Sequence, residues 1–129
     1  ATAELSRVKK QREKMGPDFI QLSGEDGTAL EFNLNGGVGC ISVSANVAPK
    51  LCSDFQKEIA NNNINEAKKI NEKLMPLHKS LFIESSPSPV KYAASVLKLC
   101  SDEVRLPLVK ISEKTKNEVK SAMQHAKLI

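Results

Sequence analysis

The stretch Asn35-Gly36-Gly37-Val38-Gly39-Cys40-Ile41-Ser42-Val43-Ser44-Ala45-Asn46 decides the fold class. Asn35-Gly36 closes a helix, because glycine tolerates the left-handed conformation that helix C-termini use. Gly39 to Ala45 reads as a buried strand, and Asn46 opens toward the next helix. In parallel α/β proteins, strand ends of this kind are where chemistry is placed.

Working outward, Thr2 is set to cap a helix from Ala3 to Met15, with Leu5, Val8, Arg12 and Met15 near one stripe and Gly16-Pro17 as the stop. Asp18 to Ser23 reads as a short strand ended by Gly24, and Glu25-Asp26-Gly27 starts a second helix, with the acids placed to cap it. Beyond the central run, Leu51, Cys52, Phe55 and Ile59 mark the buried face of a third helix starting near Pro49. Asn63 and Glu66 resemble a capping box. Ala67, Ile70, Leu74, Leu77 and Leu81 repeat at helical spacing, with Pro76 expected to kink the long helix they define. Ser88 caps a helix through Leu99 that carries Pro89 in its first turn, Val104 to Ile111 connects, and Ser112 caps a last helix to about Lys127. His78 and His125, unpaired by spacing, fit surface or half-buried positions on these helices.

The composition is that of an ordinary globular domain, 40% hydrophobic and 26% charged over 129 residues. No apolar run suffices to span a membrane and no signal peptide is evident, so a cytoplasmic setting is expected. The net charge of +4 is mild, basic residues are interleaved with acids, and aromatics are only 4%, which argues against nucleic acid as a partner. Cys40, Cys52 and Cys100 are widely spaced, so no metal site is expected and all three read as small buried hydrophobes in a reducing compartment.

The element order is helix, strand, helix, strand, helix, then three more helices. Alternating strands and helices argue a parallel sheet covered by helices. Two parallel strands alone keep open edges and cannot bury both faces. The pattern therefore reads as a piece of a larger α/β fold.

Leu22-Ser23-Gly24-Glu25-Asp26, Gly36 to Ala48, Leu74-Met75-Pro76-Leu77-His78, Pro87-Ser88-Pro89-Val90-Lys91-Tyr92-Ala93 and Leu106-Pro107-Leu108, in this order and spacing, resemble the C-terminal half of the dihydrodipicolinate synthase family. The resemblance implies the end of a (β/α)8 barrel: residues 1–60 would hold the helix after strand six, strands seven (Asp18 to Ser23) and eight (Gly39 to Ala45), and helix eight. Residues 61–129 would form a C-terminal helical region.

Enzymes of that family condense pyruvate with aspartate-4-semialdehyde on the route to diaminopimelate and lysine. A lysine in an Ile-Lys-Glu-Ala-Thr type motif forms a Schiff base with pyruvate. Ala1-Thr2 match the last two positions of that motif, which places the lysine two residues before Ala1. The resemblance therefore implies no catalytic residue within this chain, an inactive isolated fragment, and the N-terminal half of the same enzyme as its partner. A tyrosine, two threonines, an arginine and the lysine-feedback site would lie in that half. Within this chain it assigns two backbone roles: Gly24 lines the substrate pocket, and the carbonyl of Ile41 faces the lysine and its bound pyruvate. Val38 and Ser42 are neighbours of the pocket. No cofactor is implied, and the complete enzyme would be a homotetramer.

Two other readings fit the same residues. An N-acetylneuraminate lyase-like 2-keto acid aldolase shares the architecture, and the upstream residues would separate it from the synthase. A non-catalytic helical interaction fragment is suggested by the long amphipathic helix.

Overall fold

The computed structural model describes residues 2–129. Its regular elements are helices: α1 (Ser6–Met15), α2 (Ala29–Leu34), α3 (Pro49–Ala60), α4 (Ile64–Ser80), α5 (Ser88–Val96) and α6 (Glu113–His125), with single 3-10 turns at Asp26–Thr28 and Ser44–Asn46. α1 starts at Ser6 rather than Ala3, because Ala3 sits at φ 55° and Thr2 makes only a 3.4 Å contact to the Glu4 N–H. Of the expected stripe only Val8 is fully buried, while Met15 faces outward.

The turn at Asn35-Gly36-Gly37 forms as expected. Gly36, at φ 107°, donates its N–H to the Asn33 carbonyl, and Gly37 donates to that of Phe32, the paired closing bonds of a helix C-terminus. A Cβ on Gly37 would lie 2.2 Å from the Phe32 ring, so this turn admits no side chain there. The Arg12 guanidinium donates to the Gly36 carbonyl, and Gln21 Nε2 donates to the Val8 carbonyl at 3.1 Å, fastening α1 to both neighbouring segments.

The two expected strands are reduced to one parallel bridge, Ser23 to Cys40. Its bonds run from Ser23 N–H to the Gly39 carbonyl (2.9 Å) and from Ile41 N–H to the Ser23 carbonyl (2.8 Å). The Gln21 carbonyl accepts from Val38 N–H at 3.0 Å. Successive acceptors Gln21 and Ser23 thus take donors three residues apart, where a regular parallel ladder spaces them two apart. The second segment carries an extra residue, a bulge at Val38-Gly39, and the ladder cannot extend through it. Past Ile41 the chain bends into the Ser44–Asn46 turn instead of continuing as a strand. Phe19, Ile20, Leu22, Val38 and Ile41 are exposed, with Ile20 and Ile41 at 72% and 73%. Two segments without further strands have nothing to cover these side chains.

The core lies elsewhere. α4 packs against α3 and α6, and α6 against α5. One apolar cluster joins Ala29, Leu30, Val47 and Phe55 to Leu74, Leu77, Leu81, Val119 and Met123. The α4 stripe is as read: Ala67, Leu74, Leu77 and Leu81 are inaccessible or nearly so, and Ile70 packs at the edge. On α3 only Phe55 is fully buried, while Leu51, Cys52 and Ile59 are half-buried against the cluster. α4 runs unbroken from Ile64 through Pro76 to Ser80.

Several caps differ from expectation. Asn63 bonds to the Glu58 carboxylate rather than to its own helix, so no capping box forms. Pro87 precedes α5, and Ser88 lies buried inside its first turn instead of capping it. α5 stops at Val96, because Lys98 takes φ 60° and Leu99 N–H reaches back to the Ala94 carbonyl. Ser112 does cap α6, accepting from Thr115 N–H at 3.3 Å. Its own N–H and hydroxyl donate to Glu84 at 3.0 and 2.8 Å, and the Thr115 side chain first, with these two Ser112 groups, holds that carboxyl below the usual range. The helix ends at His125, two residues before Lys127, and buries Thr115, Val119, Ala122 and Met123 as the spacing requires.

Candidate functional site

The site grows from the bridge between the two extended segments. After Ser23 the chain bends through exposed Gly24, where the Ser23 hydroxyl donates to the Glu25 carbonyl and accepts from Glu25 N–H at 3.0 and 3.1 Å. Glu25 caps the following 3-10 turn through Gly27 N–H, as its position at a helix start requires.

Asp26 does something the sequence did not announce. Its side chain is buried, and its Oδ2 accepts from the N–H groups of Val43 (2.8 Å) and Ser44 (3.1 Å). One carboxylate therefore ties the segment carrying Gly24 to the segment carrying Ile41. Charge-assisted bonds of this kind are about twice as strong as neutral ones.

Behind this turn stands His78 of α4, 6% exposed, with Nδ1 at 2.7 Å from the Ser44 hydroxyl. Burial pushes its pKa below the ordinary histidine value, although Asp26 and Glu25 oppose that shift. His78 is a buried partner, not the surface or half-buried residue expected, whereas His125 is exposed. The signal was available: His78 follows Leu74 by one helical turn on the buried stripe, where a polar ring needs a partner.

Gly24 borders a cavity of about 310 Å³ that also touches Phe19, Gln21, Ser23, Thr28 and Phe32. No lysine lines it. A second cavity, of about 260 Å³, is lined by Asp26, Cys40, Ser42, Cys52, Phe55 and His78. Ile41 lines neither cavity, and its side chain projects into solvent. Ser42 closes the local turn, accepting from Ala45 N–H at 2.9 Å, and Val38 is exposed at the bulge. Lys9 and Lys10 both lie exposed on α1. Among the described residues no group of histidine, cysteine and acidic side chains could hold a metal ion, and no helix is long and apolar enough to cross a membrane.

The cysteines divide by environment. Cys40 and Cys52 are half-buried, and burial raises both thiols, Cys40 to about 11 with Asp26 adding to the effect. Cys100 is exposed, against the expectation of burial, because α5 ends before reaching it. At pH 8 the Cys40 thiolate is then about one part in a thousand. Iodoacetamide is expected to alkylate Cys100 first and to leave Cys40 and Cys52 largely unmodified until the protein is denatured. Peptide mass mapping over time checks the order.

The comparisons agree on one family. Residues 1–126 match the model of the dihydrodipicolinate synthetase family. The 4-hydroxy-tetrahydrodipicolinate synthase of Pelagibacter ubique is 60% identical over 132 aligned positions, which cover all of this chain and 45% of that relative. The enzyme of the same name from Jannaschia is 55% identical over 129 positions, with 44% of it covered. Among solved structures, dihydrodipicolinate synthase from Thermotoga maritima superposes with a TM-score of 0.94 at 32% identity, over all of this chain and 45% of that one. The chloride-inhibited Acinetobacter baumannii enzyme complexed with pyruvate gives 0.93 at 36% identity, over all of this chain and 44% of that one. The chain spans less than half the length of the curated relatives it matches. It belongs to the dihydrodipicolinate synthetase family.

Proposed function

We propose that these residues are the C-terminal part of a 4-hydroxy-tetrahydrodipicolinate synthase, a lyase that joins pyruvate to aspartate-4-semialdehyde. The observation that carries this reading is the 60% identity, over the whole chain, to the Pelagibacter ubique enzyme of that name. An N-acetylneuraminate lyase-like aldolase has no such support. The apolar edge formed by Phe19, Ile20, Leu22, Val38 and Ile41 is what the last two strands of a (β/α)8 barrel would present once separated from the other six.

In the complete enzyme, which we read as a cytoplasmic homotetramer, a lysine outside these residues supplies the amine. Kept partly neutral in a desolvated pocket, it attacks the keto carbon of pyruvate, and water leaves as the iminium forms. Loss of a methyl proton gives an enamine, whose carbon attacks the aldehyde. The contribution of this chain is backbone. The Ile41 carbonyl accepts an N–H of the lysine nitrogen, and Gly24 leaves room for substrate because it carries no side chain.

A fusion of the unmatched N-terminal part of the Pelagibacter ubique enzyme to this chain tests the reading. Incubated with pyruvate and borohydride, the fusion is expected to gain one covalent adduct, on a lysine of the N-terminal part, and the isolated chain none. No adduct on the fusion, or a specific adduct on a lysine of this chain, would overturn it.

A further inference from the structure

We infer that Asp26 is a positioning residue for the Ile41 carbonyl, with His78 of the C-terminal helical region as its support. The inference rests on the reading that this carbonyl faces the reacting amine.

The direction of a carbonyl is set by the dihedral angles on either side of it. For Ile41 these are its own ψ and the φ of Ser42. Both lie between two fixed points. On one side, Ile41 N–H is bound to the Ser23 carbonyl at 2.8 Å. On the other, Val43 N–H is bound to Asp26 Oδ2 at 2.8 Å, and the next N–H, of Ser44, is bound to the same oxygen at 3.1 Å. Both anchors come from the short stretch Ser23 to Asp26, the same stretch that contains Gly24. The two segments thus close a small ring, with the Ile41–Ser42 peptide held inside it.

The ring is also braced from outside. Ser44 is fully buried, and its hydroxyl meets His78 Nδ1 at 2.7 Å. Leu74 and Leu77, four residues and one residue before His78 along α4, are themselves in the core. His78 therefore sits on a rigid element, and Ser44 cannot withdraw from Asp26 without breaking a second buried bond. Neither Asp26 nor His78 reaches the exposed face on which Ile41 lies, so both act through the backbone they hold. A site built on backbone dipoles needs such holding, since a displacement of about 1 Å costs on the order of 100-fold in rate.

The test uses the fusion enzyme described above, with Asp26→Ala, Asp26→Asn, His78→Leu and His78→Asn. Hydrogen exchange over Ile41–Asn46 reads the ring, and the rate of pyruvate adduct formation under borohydride reads the site. Asp26→Ala is expected to speed exchange of the Val43 and Ser44 amides on the order of tenfold. It should slow adduct formation at saturating pyruvate roughly 10- to 100-fold, with the half-saturating pyruvate concentration little changed. Asp26→Asn keeps an oxygen where Oδ2 lies and is expected to return both readouts to within about threefold of the parent. Unchanged amide protection in Asp26→Ala overturns the inference, and so does unchanged adduct formation once those amides are loosened. Where Asp26→Ala does not fold, His78→Leu carries the test: loosened Ser44 exchange and slowed adduct formation are expected, with rescue by His78→Asn, and parent-like behaviour of His78→Leu overturns the inference. A parent fusion that forms no adduct refutes the proposed function instead. The exchange measurement then judges the ring alone, upheld by loosening and overturned by its absence.

Discussion

Leu77→Ala is expected to destabilise the protein by about 3–4 kcal/mol. Leu77 is fully inaccessible on α4, and α4 packs against both α3 and α6. Truncation removes the transfer energy of the lost carbons and leaves a cavity. Regular helices on both sides cannot collapse into that space without losing contacts of their own. The loss is a large share of the stability of an ordinary domain, about 5–15 kcal/mol. Urea denaturation should show a lower midpoint with an unchanged slope. Leu106→Ala is the control: at 86% exposed, Leu106 buries almost nothing, and its truncation should stay within about 0.5 kcal/mol. Equal losses for the two variants would mean that the core is not centred on α4.

Asp26→Ala is expected to cost about 2–4 kcal/mol, for a different reason. No large apolar volume is lost. Instead the Val43 and Ser44 N–H groups both lose their acceptor at once. Asp26→Asn should recover most of the loss, because a single oxygen receives both bonds and an amide carbonyl can occupy its place. Thermal or urea denaturation of the pair measures this directly. A loss as large in Asn as in Ala would show that charge, rather than the presence of an acceptor, holds the turn.

The helical half of the molecule was legible because periodicity and burial share one cause. Thr115, Val119, Ala122 and Met123 recur on one side of α6, and all four are buried. Ser112 caps as read, and Gly36 ends its helix as read. The errors fall where local propensity met a competitor. Asn63 found Glu58, and Ser88 was drawn into a buried first turn. The two expected strands shorten to a single bridge for a further reason. The apolar content of Asp18 to Ser23 and of Gly39 to Ala45 encodes a sheet with neighbours on both sides, and these residues contain only the mutual pair.

Only backbone positions of the candidate site were named from the sequence. Gly24 and Ile41 stood out through family resemblance, and the structure places them on two segments that touch at Ser23 and Cys40. Asp26, Ser44 and His78 were passed over because their joining needs contacts across 18 and 34 residues of chain. A carboxylate beside a helix start looks like a cap, and in Glu25 it is one. Its neighbour Asp26 turns inward and binds elsewhere.

The extra residue at Val38-Gly39 makes chain length, and not only residue identity, a property of this segment. Deleting one residue there would bring the donors to Gln21 and Ser23 into the ordinary two-residue spacing and let a longer ladder form. Ile41 would remain the donor to Ser23, so the residues after it would keep their faces, and the shift would fall on the residues before the deletion. The Asn35-Gly36-Gly37 turn, closed by Gly37 N–H on the Phe32 carbonyl, would be drawn one residue nearer the bridge. Between Gly37 and Ile41, substitutions that preserve the count leave that spacing alone, and a change of one in the count moves the end of α2 relative to the bridge.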